Sequence, residues 1–545
     1  MVVLVTPGVW YYLGLTRHRD EEMNGVKVPE KVLVWTACMV VAVCTPRCAS
    51  HIPAQEEFPI GLAQGVLAGE VADTSVLLQS RLTSTHPMVD RHWSGIVGIQ
   101  GFGRFEIAEN SEFRDSRFSE WIEAVPDHDF IVKTKVKDLK PGTRHYYRLQ
   151  FGPDREQTRT SKPGTFTTHS GAAGEDEISF AVVTGMNYSA FHHYGQRNRW
   201  PPYQGTDKHL GYPALAAMLT KKPDFFVATG DNVYYDAPAI GRAETPHQIR
   251  MKYQEQFSQQ RYLDLFRETA TYWIKDDHDH RFNDSDAVNP FLLRQVGRTS
   301  DETYPDENMR PWISGSGHLP THETGIHMFR EQVPVVDPKD PDPKTYRTFR
   351  VTKSLQVWFV EGRDYRSPND MPDGPDKTIW GAEQKAWLKR TLLESDATFK
   401  ILFSATPMVG PDSISKRDNH VNLRGFRHEG DAFFRWLVEN EFLDKHFYIV
   451  CGDRHWQYHA VHPTGFEEFS SGALVDANSI PGSRPGDANS TDPEGKIRHD
   501  YHNVEPTGGF LLVTVKPGPG NGASATFEFF DEQGVSLYRH VKRAD

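Results

Sequence analysis

The chain has 545 residues, of which 38% are hydrophobic, 12% aromatic and 25% charged, a composition that excludes collagenous, disordered and polytopic membrane classes. Its 61 Lys and Arg against 73 Asp and Glu give a net charge of −12, so no footprint for nonspecific nucleic-acid binding exists, and an anionic substrate needs a local source of positive charge such as metal ions. The length predicts two or three domains.

Val32 to Cys44 (VLVWTACMVVAVC) is an apolar stretch of signal-peptide length, too short to span a bilayer comfortably. Lys27 and Lys31 precede it, Cys48-Ala49-Ser50 follows as a cleavage candidate, and Met23 as the start gives the leader an ordinary length. The reading is a leader over residues 1–50 on an exported protein (periplasmic, cell-surface or extracellular), with no transmembrane span in the mature chain. A buried core segment is the alternative. Three of the four cysteines fall in this leader, so the mature chain keeps Cys451 and forms no internal disulfide.

Residues 51–170 read as a β-sandwich domain. Short alternating runs, Thr74–Ser80 and Asp129–Val136, are broken by turn residues. The second leads into Asp138–Leu149 (DLKPGTRHYYRL), a turn and a tyrosine-bearing strand like the L-x-P-G-T-x-Y-x-Y-R pattern of fibronectin type III sandwiches. The Gly-, Ser- and Thr-rich segment 160–177 reads as a linker.

From Ile178 the pattern changes, and residues 171–545 read as one catalytic domain. The apolar strand Ile178–Val183 is followed by a helix around Leu210–Leu219 and a strand at Asp224–Thr229. Helix-then-strand recurs as Ala382–Leu393 before Phe399–Phe403, and as Asp431–Leu443 before Phe447–Cys451. Continuous apolar strands fed by helices predict an α/β layered fold with sheets covered on both faces. The C-terminal runs Gly508–Val515 and Ala523–Phe530 predict a hairpin closing the second sheet, and Thr299–Pro320 reads as loop.

Ligands collect beyond strand carboxyl ends in such folds. Here those ends carry Gly230-Asp231-Asn232-Val233-Tyr234, Asp276-Asp277-His278-Asp279 with Asn283-Asp284, and Gly452-Asp453-Arg454-His455. Packed carboxylates repel one another unless cations balance them, and carboxylate, phenol and imidazole donors from separate loops suit a metal pair. A solvated acidic turn is the alternative for each cluster alone.

The order GDNVY, DDHD with ND, EGRDYRSP (Glu361–Pro368) and GDRH resembles that of PhoD-like alkaline phosphatases, a branch of the binuclear metallophosphatases, along nearly the whole mature chain. The resemblance implies an αββα metallophosphatase core, two packed mixed sheets flanked by helices, behind an N-terminal fibronectin/Ig-like β-sandwich. It implies hydrolysis of phosphate diesters and/or monoesters. It assigns Asp231, Tyr234, Asp453 and His455 as metal ligands and matches Asn283 to the family's asparagine, while Asp277 stands at the asparagine position of the wider superfamily's GNH signature. The metals would be two or more ions drawn from calcium, iron, zinc or manganese. The family's Ser-Cys pair, whose thiolate binds ferric iron, is replaced by Thr184-Gly185, which counts against iron; Asn187 two residues on, a water or an altered metal is a candidate to fill the gap. Cys451 reads as a buried strand residue.

Two cations about 3.5–4 Å apart lower the pKa of a bridging water to about 7, supplying a metal-bound hydroxide for in-line attack. His278 is the candidate general acid, with Asp277 or Asp279 orienting it. Arg363 and Arg366 are candidates to hold phosphate oxygens, with a structural ion pair as the alternative. The stretch Thr406–Asp412 through Lys416–His420 should border the site, with Asp412, Asp418 and His420 as its candidates to reach the metals, and His192 and His193 are weaker cleft candidates. A degenerate surface protein acting as a binding module is the competing reading of the whole chain.

Overall fold

The computed structural model describes residues 58–85, 96–194, 201–238, 241–288, 320–518 and 522–544. The expected leader and nearly all of the 299–320 loop lie outside them. The described chain from Phe58 onward forms one unit.

Two mixed sheets face one another. In spatial order the first contains Ser536–Arg543, Ser524–Asp531, Gly509–Lys516, Ile178–Val183, Phe225–Thr229, Ala270–Ile274, Val66–Gly69, Val76–Arg81 and Ile131–Val136. The second contains Arg347–Arg350, Leu355–Phe359, Phe399–Ser404, Phe447–Cys451, Glu467–Ser471, Gln457–Val461 and Arg498–His502. Their apolar runs are continuous because both faces are buried. Phe180, Val182, Phe225 and Val227 face the second sheet, where they share a core with Val357, Phe359, Ile401, Phe403 and Val450. The alternate residues Ala181, Val183, Phe226 and Ala228 point the other way, into a core with helices Pro213–Lys221, Pro246–Phe257, Gln260–Glu268 and His322–Gln332. On the far side Leu402, Ile449 and Cys451 pack on helices Gly381–Glu394 and Arg427–Glu439. The period of two along each strand thus builds the layer order helix, sheet, sheet, helix.

Local chemistry sets the helix ends. Pro213 and Pro246 stand in first turns, where a missing N–H costs nothing. Thr245 and Gln248 form a reciprocal capping box.

The N-terminal region is β-rich, and one layer of its sandwich is the end of the first catalytic sheet. Val66–Gly69 runs beside Ala270–Ile274, with Glu70 N donating to Thr271 O at 3.1 Å and Thr271 Oγ1 donating to Ala68 O at 3.0 Å. The six-stranded sheet holding Gly101–Ala108 and Arg144–Gly152 supplies Phe105, Ile107, Tyr147 and Leu149 to the same core as Val76 and Val132. The stretch 160–177 is likewise anchored: His169 Nε2 meets Tyr272 Oη at 2.7 Å and Gly171 N donates to Val351 O at 3.2 Å.

The C-terminal hairpin forms but joins the first sheet, not the second, by pairing Gly509–Lys516 antiparallel to Ile178–Val183. Its alternation fits either sheet; the partner is chosen by tertiary packing.

Candidate metal centre

Three strand ends deliver the three polar clusters to one place. The turn after Phe225–Thr229 puts Gly230 at φ +103 and Asp231 at φ +56, and Asp453 and His455 after Phe447–Cys451 also hold positive φ, at +63 and +48. A side chain at Gly230 would stand 2.4 Å from Asp276 Cβ, so glycine lets two strand ends close on each other. Left-handed backbone at Asp and His costs energy that persists where surrounding structure demands it, typically at functional sites.

Asp231 Oδ2 accepts hydrogen bonds from Tyr234 Oη at 3.0 Å and faces His455 Nε2 at 2.9 Å, and Tyr234 Oη lies 2.9 Å from the same His455 nitrogen. All three are buried. Burial holds the His455 imidazole down, to about 4, so at neutral pH it is an uncharged donor. Burial pushes the carboxyls of Asp231 and Asp453 up, Asp453 to about 6. The donor atoms of Asp231, Asp277 and His278 lie within 4.8 Å of one another, as do those of Asp277, Asp284 and Asp418. Asp277 joins the two groups; burial opposes its charge, but His278, Arg363 and Lys416 outweigh burial and hold its carboxyl low.

Whether such residues suit cations is decided by their unmet valences. Among the described residues, Asp231 Oδ1, Asp276 Oδ2, both oxygens of Asp418 and Asp453 Oδ2 are buried without a hydrogen-bond partner. Orphaned buried carboxylate oxygens are costly as they stand and are the donors a divalent cation uses.

His278 Nδ1 contacts the carboxylate of buried Asp236, at 2.7 and 2.9 Å from its two oxygens. The carboxylate that meets the ring is thus that of Asp236, while Asp277 Oδ1 accepts the His278 backbone N–H at 2.9 Å. Asp279 is consumed by the backbone N–H groups of Asp276, Asp231 and Asn232 and serves as a brace between loops. The His278 ring stacks on Tyr234 with centroids 4.2 Å apart. Burial lowers its basicity, but Asp236, Asp277 and Asp231 prevail and keep its pKa well above the usual imidazole value.

The arginines depart from expectation. Arg363 is fully buried; its Nε donates to Asp276 Oδ1 at 2.8 Å, its Nη2 to the same oxygen, and its Nη1 to Ser285 O at 2.8 Å. Arg366 donates to Gly362 O, Asn369 Oδ1 and Asp418 O. Both guanidinium groups are occupied in holding the loops, Arg363 as the structural ion pair with Asp276 and Arg366 through hydrogen bonds to neutral oxygens. Asn283 is exposed and meets the centre through its backbone N–H, 3.0 Å from Asp236 Oδ2. Its neighbour Asp284 faces inward and pairs with Lys416 Nζ at 2.5 Å.

Of the bordering residues, Asp418 belongs to the centre. Asp412 is held by Arg454, Asn419 and Asn422, and His420 by Glu429 at 3.0 Å. His192 pairs with Gln259 at 3.1 Å. Cys451 is a buried strand residue with Sγ 3.5 Å from Tyr458 Oη.

Gly185 has φ +63, and a Cβ there would lie 3.0 Å from His455 Nε2 and 3.1 Å from Asn478 Nδ2. The position faces the centre without a donor. Asn187 does not fill it, since its Oδ1 caps Ala190 N at 2.9 Å. The nearby amide is that of Asn478, which donates to Tyr234 Oη at 2.9 Å and to Gly185 O at 3.0 Å. Sequence reasoning missed Asp236 and Asn478, while Lys416 lies in the stretch expected to border the site. Asp236 lies two residues beyond GDNVY, within reach of motif reading, whereas Asn478 ends a three-residue 3-10 helix, Asp476–Asn478, too short to leave a local pattern.

Residues 180–510 match the PhoD-like phosphatase family and residues 47–170 its N-terminal domain. Alkaline phosphatase D of Bacillus subtilis (strain 168) is 20% identical over 507 residues, spanning 87% of this chain and 79% of that protein. The solved structure of PhoD superposes with TM-score 0.63 at 17% identity, covering 90% of this chain and 92% of that one. A purple acid phosphatase from yellow lupin (Lupinus luteus) seeds gives TM-score 0.52 at 11% identity, covering 89% and 75%.

Proposed function

The chain belongs to the PhoD-like phosphatase family and is a phosphoric ester hydrolase, and from that premise we propose that it is an exported, metal-dependent enzyme acting on phosphate diesters and monoesters. The observation that carries the reading is the convergence of orphaned carboxylate oxygens from Asp231, Asp418 and Asp453 beside the His278–Asp236 pair. A protein that used this fold only to bind a partner would gain nothing from burying those charges. Export rests on the leader-like stretch Val32–Cys44; among the described residues no helix is long and apolar enough to cross a membrane.

Asp231, Tyr234, Asp453 and His455 would hold one cation and Asp277, Asp284 and Asp418 another, Asp277 being common to the two donor groups. Bound cations supply Lewis acidity toward phosphoryl oxygens and acidify water for attack. The donors are oxygen and nitrogen without sulfur, which suits calcium, manganese or zinc better than a thiolate-bound iron. Asp236 fixes the His278 ring through Nδ1 and favours its protonated form, leaving Nε2 to give a proton to the leaving alkoxide. Tyr234, stacked on the same ring, restricts its tilt. Lys416 neutralises Asp284 and, 27% exposed, is a cation that substrate would meet at the edge of the centre.

Hydrolysis of bis-p-nitrophenyl phosphate and p-nitrophenyl phosphate by one preparation tests the reading. Activity should vanish with chelator, return with a divalent ion, and fall at least about a hundredfold in Asp231→Asn, with loss of bound metal. Full activity in chelator-treated, metal-free protein would overturn it.

A further inference from the structure

A second group of metal-type donors lies away from the catalytic centre, where the two sheets meet at their edges, and shares no residue with it. His459 on strand Gln457–Val461 and Glu467 at the start of Glu467–Ser471 come from the second sheet. His540 comes from Ser536–Arg543, the outermost strand of the first. On that outer strand Tyr538, His540 and Lys542 are half-buried while Leu537, Arg539, Val541 and Arg543 are exposed. The period of two therefore sends a tyrosine, a histidine and a lysine inward together.

The two imidazoles are oriented alike. Both turn Nδ1 toward Tyr538 Oη, at 3.1 Å for His459 and 3.5 Å for His540. Both turn Nε2 toward Glu467 Oε2, at 2.9 and 3.5 Å. The His540 Nε2 is shielded from solvent and makes no hydrogen bond among the described residues. Lys542 holds the other oxygen, Oε1. The donor atoms of His459, Glu467 and His540 all lie within 4.8 Å of one another. Tetrahedral zinc with bonds near 2.0–2.1 Å needs donors separated by about 3.3 Å, so the 2.9 and 3.5 Å spacings require little movement. A tyrosine oxygen facing both Nδ1 atoms is the kind of outer partner that fixes a ligating histidine's tautomer and leaves Nε2 as the lone-pair donor.

We propose that His459, Glu467 and His540 form a zinc site that clips the outer C-terminal strand of one sheet to the other sheet, with water in the fourth position. The site is structural: it adds a cross-link where the first sheet ends in an edge strand, and no substrate-sized approach is needed.

The test uses the full chain, stripped by chelator and dialysed against zinc, beside His540→Gln and Glu467→Gln. The expected result is one zinc per chain fewer in either variant, with phosphoesterase activity unchanged and the zinc-induced rise in Tm reduced. Replacing zinc with cobalt(II) should give the visible absorption of a tetrahedral N/O site in the parent chain and not in His540→Gln. Equal zinc stoichiometry in parent and variants overturns the proposal. Lys542→Met guards against a variant that misfolds: freeing Glu467 of its competing ammonium should tighten zinc binding about tenfold, equivalent to about 1.4 kcal/mol, and unchanged or weaker binding would count against the site. Because activity is read separately, loss of activity in the parent would challenge the phosphoesterase reading and leave this site's test intact.

Discussion

Replacing Asp236 with Asn decides whether His278 is a proton donor or a bystander. The Asp236 carboxylate, with a side chain 4% exposed, holds His278 Nδ1 at 2.7 and 2.9 Å and also accepts the Asn283 N–H at 3.0 Å. An amide keeps the shape and one acceptor, so the perturbation is mainly the loss of charge. Opposite unit charges about 4 Å apart are worth about 4 kcal/mol at an effective dielectric of 20. The His278 side chain is 16% exposed, and screening brings this to about 2 kcal/mol, roughly thirtyfold in the protonation equilibrium.

The sign follows from the charges around the ring. Burial lowers the His278 pKa, but Asp236, Asp277 and Asp231 raise it above the ordinary value. The donor form is complete below that raised pKa and is lost as pH rises through it. Removing Asp236 lowers the pKa, so the basic limb of the kcat/KM profile should move to lower pH. An alkyl phosphate ester needs a proton on its leaving oxygen, whereas p-nitrophenolate departs without one. With positioned general acids contributing about 10²–10⁴, Asp236→Asn should cost about a hundredfold in kcat on the alkyl ester and less than about tenfold on the p-nitrophenyl ester. Equal losses on both esters with an unmoved basic limb would refute the assignment.

Arg363→Met should damage stability before substrate binding, because it leaves Asp276 buried and unpaired at a cost of about 3–5 kcal/mol; a chemical denaturation midpoint unchanged from the parent, with KM alone raised, would return Arg363 to the phosphate-clamp role. Gly185→Ala forces a Cβ to within 3.0 Å of His455 Nε2 in left-handed backbone, costing about 1–2 kcal/mol from conformation alone. It should also lower metal occupancy, measured by elemental analysis, and wild-type occupancy with wild-type Tm would show that the turn relaxes freely.

What could be read from the sequence was what local pattern encodes. Phe225–Thr229 and Phe447–Cys451 are apolar throughout because both sheet faces are covered, and the polar residues after them stand out by contrast. Helix Arg427–Glu439 was expected at Asp431–Leu443; the early start reflects Glu429, which reaches the Ile379 N–H and His420 and so draws the first turn inward. Long-range choices were not encoded locally. Nothing in Gly508–Val515 says which sheet it joins, and nothing in Val66–Gly69 says that it extends a sheet begun a hundred residues later. Arg363 and Asn283 show the same limit at the site. An Arg among carboxylates is equally a clamp or a brace until burial decides, and Asn283-Asp284 becomes one exposed and one inward residue only when the turn is built.

The substitution at Gly185 gains meaning from this geometry. A glycine at φ +63 lets Thr184 and Met186 be tied down, Thr184 Oγ1 to Gly230 O at 2.9 Å and Met186 N to Asp231 O at 2.9 Å, so the turn still braces the Asp231 loop. The Asn478 amide crosses the space a longer side chain would need, reaching Tyr234 Oη and Gly185 O. Cysteine could not be restored without moving Asn478 and straining the backbone, so the glycine and the asparagine form one arrangement. That arrangement keeps Tyr234, Asp231 and His455 in contact while removing the soft donor. On the proposed reading, an all-oxygen-and-nitrogen centre in a chain of net charge −12 would call for cations with little need for sulfur, and those cations would reverse the local sign of charge and give an anionic ester a reason to approach.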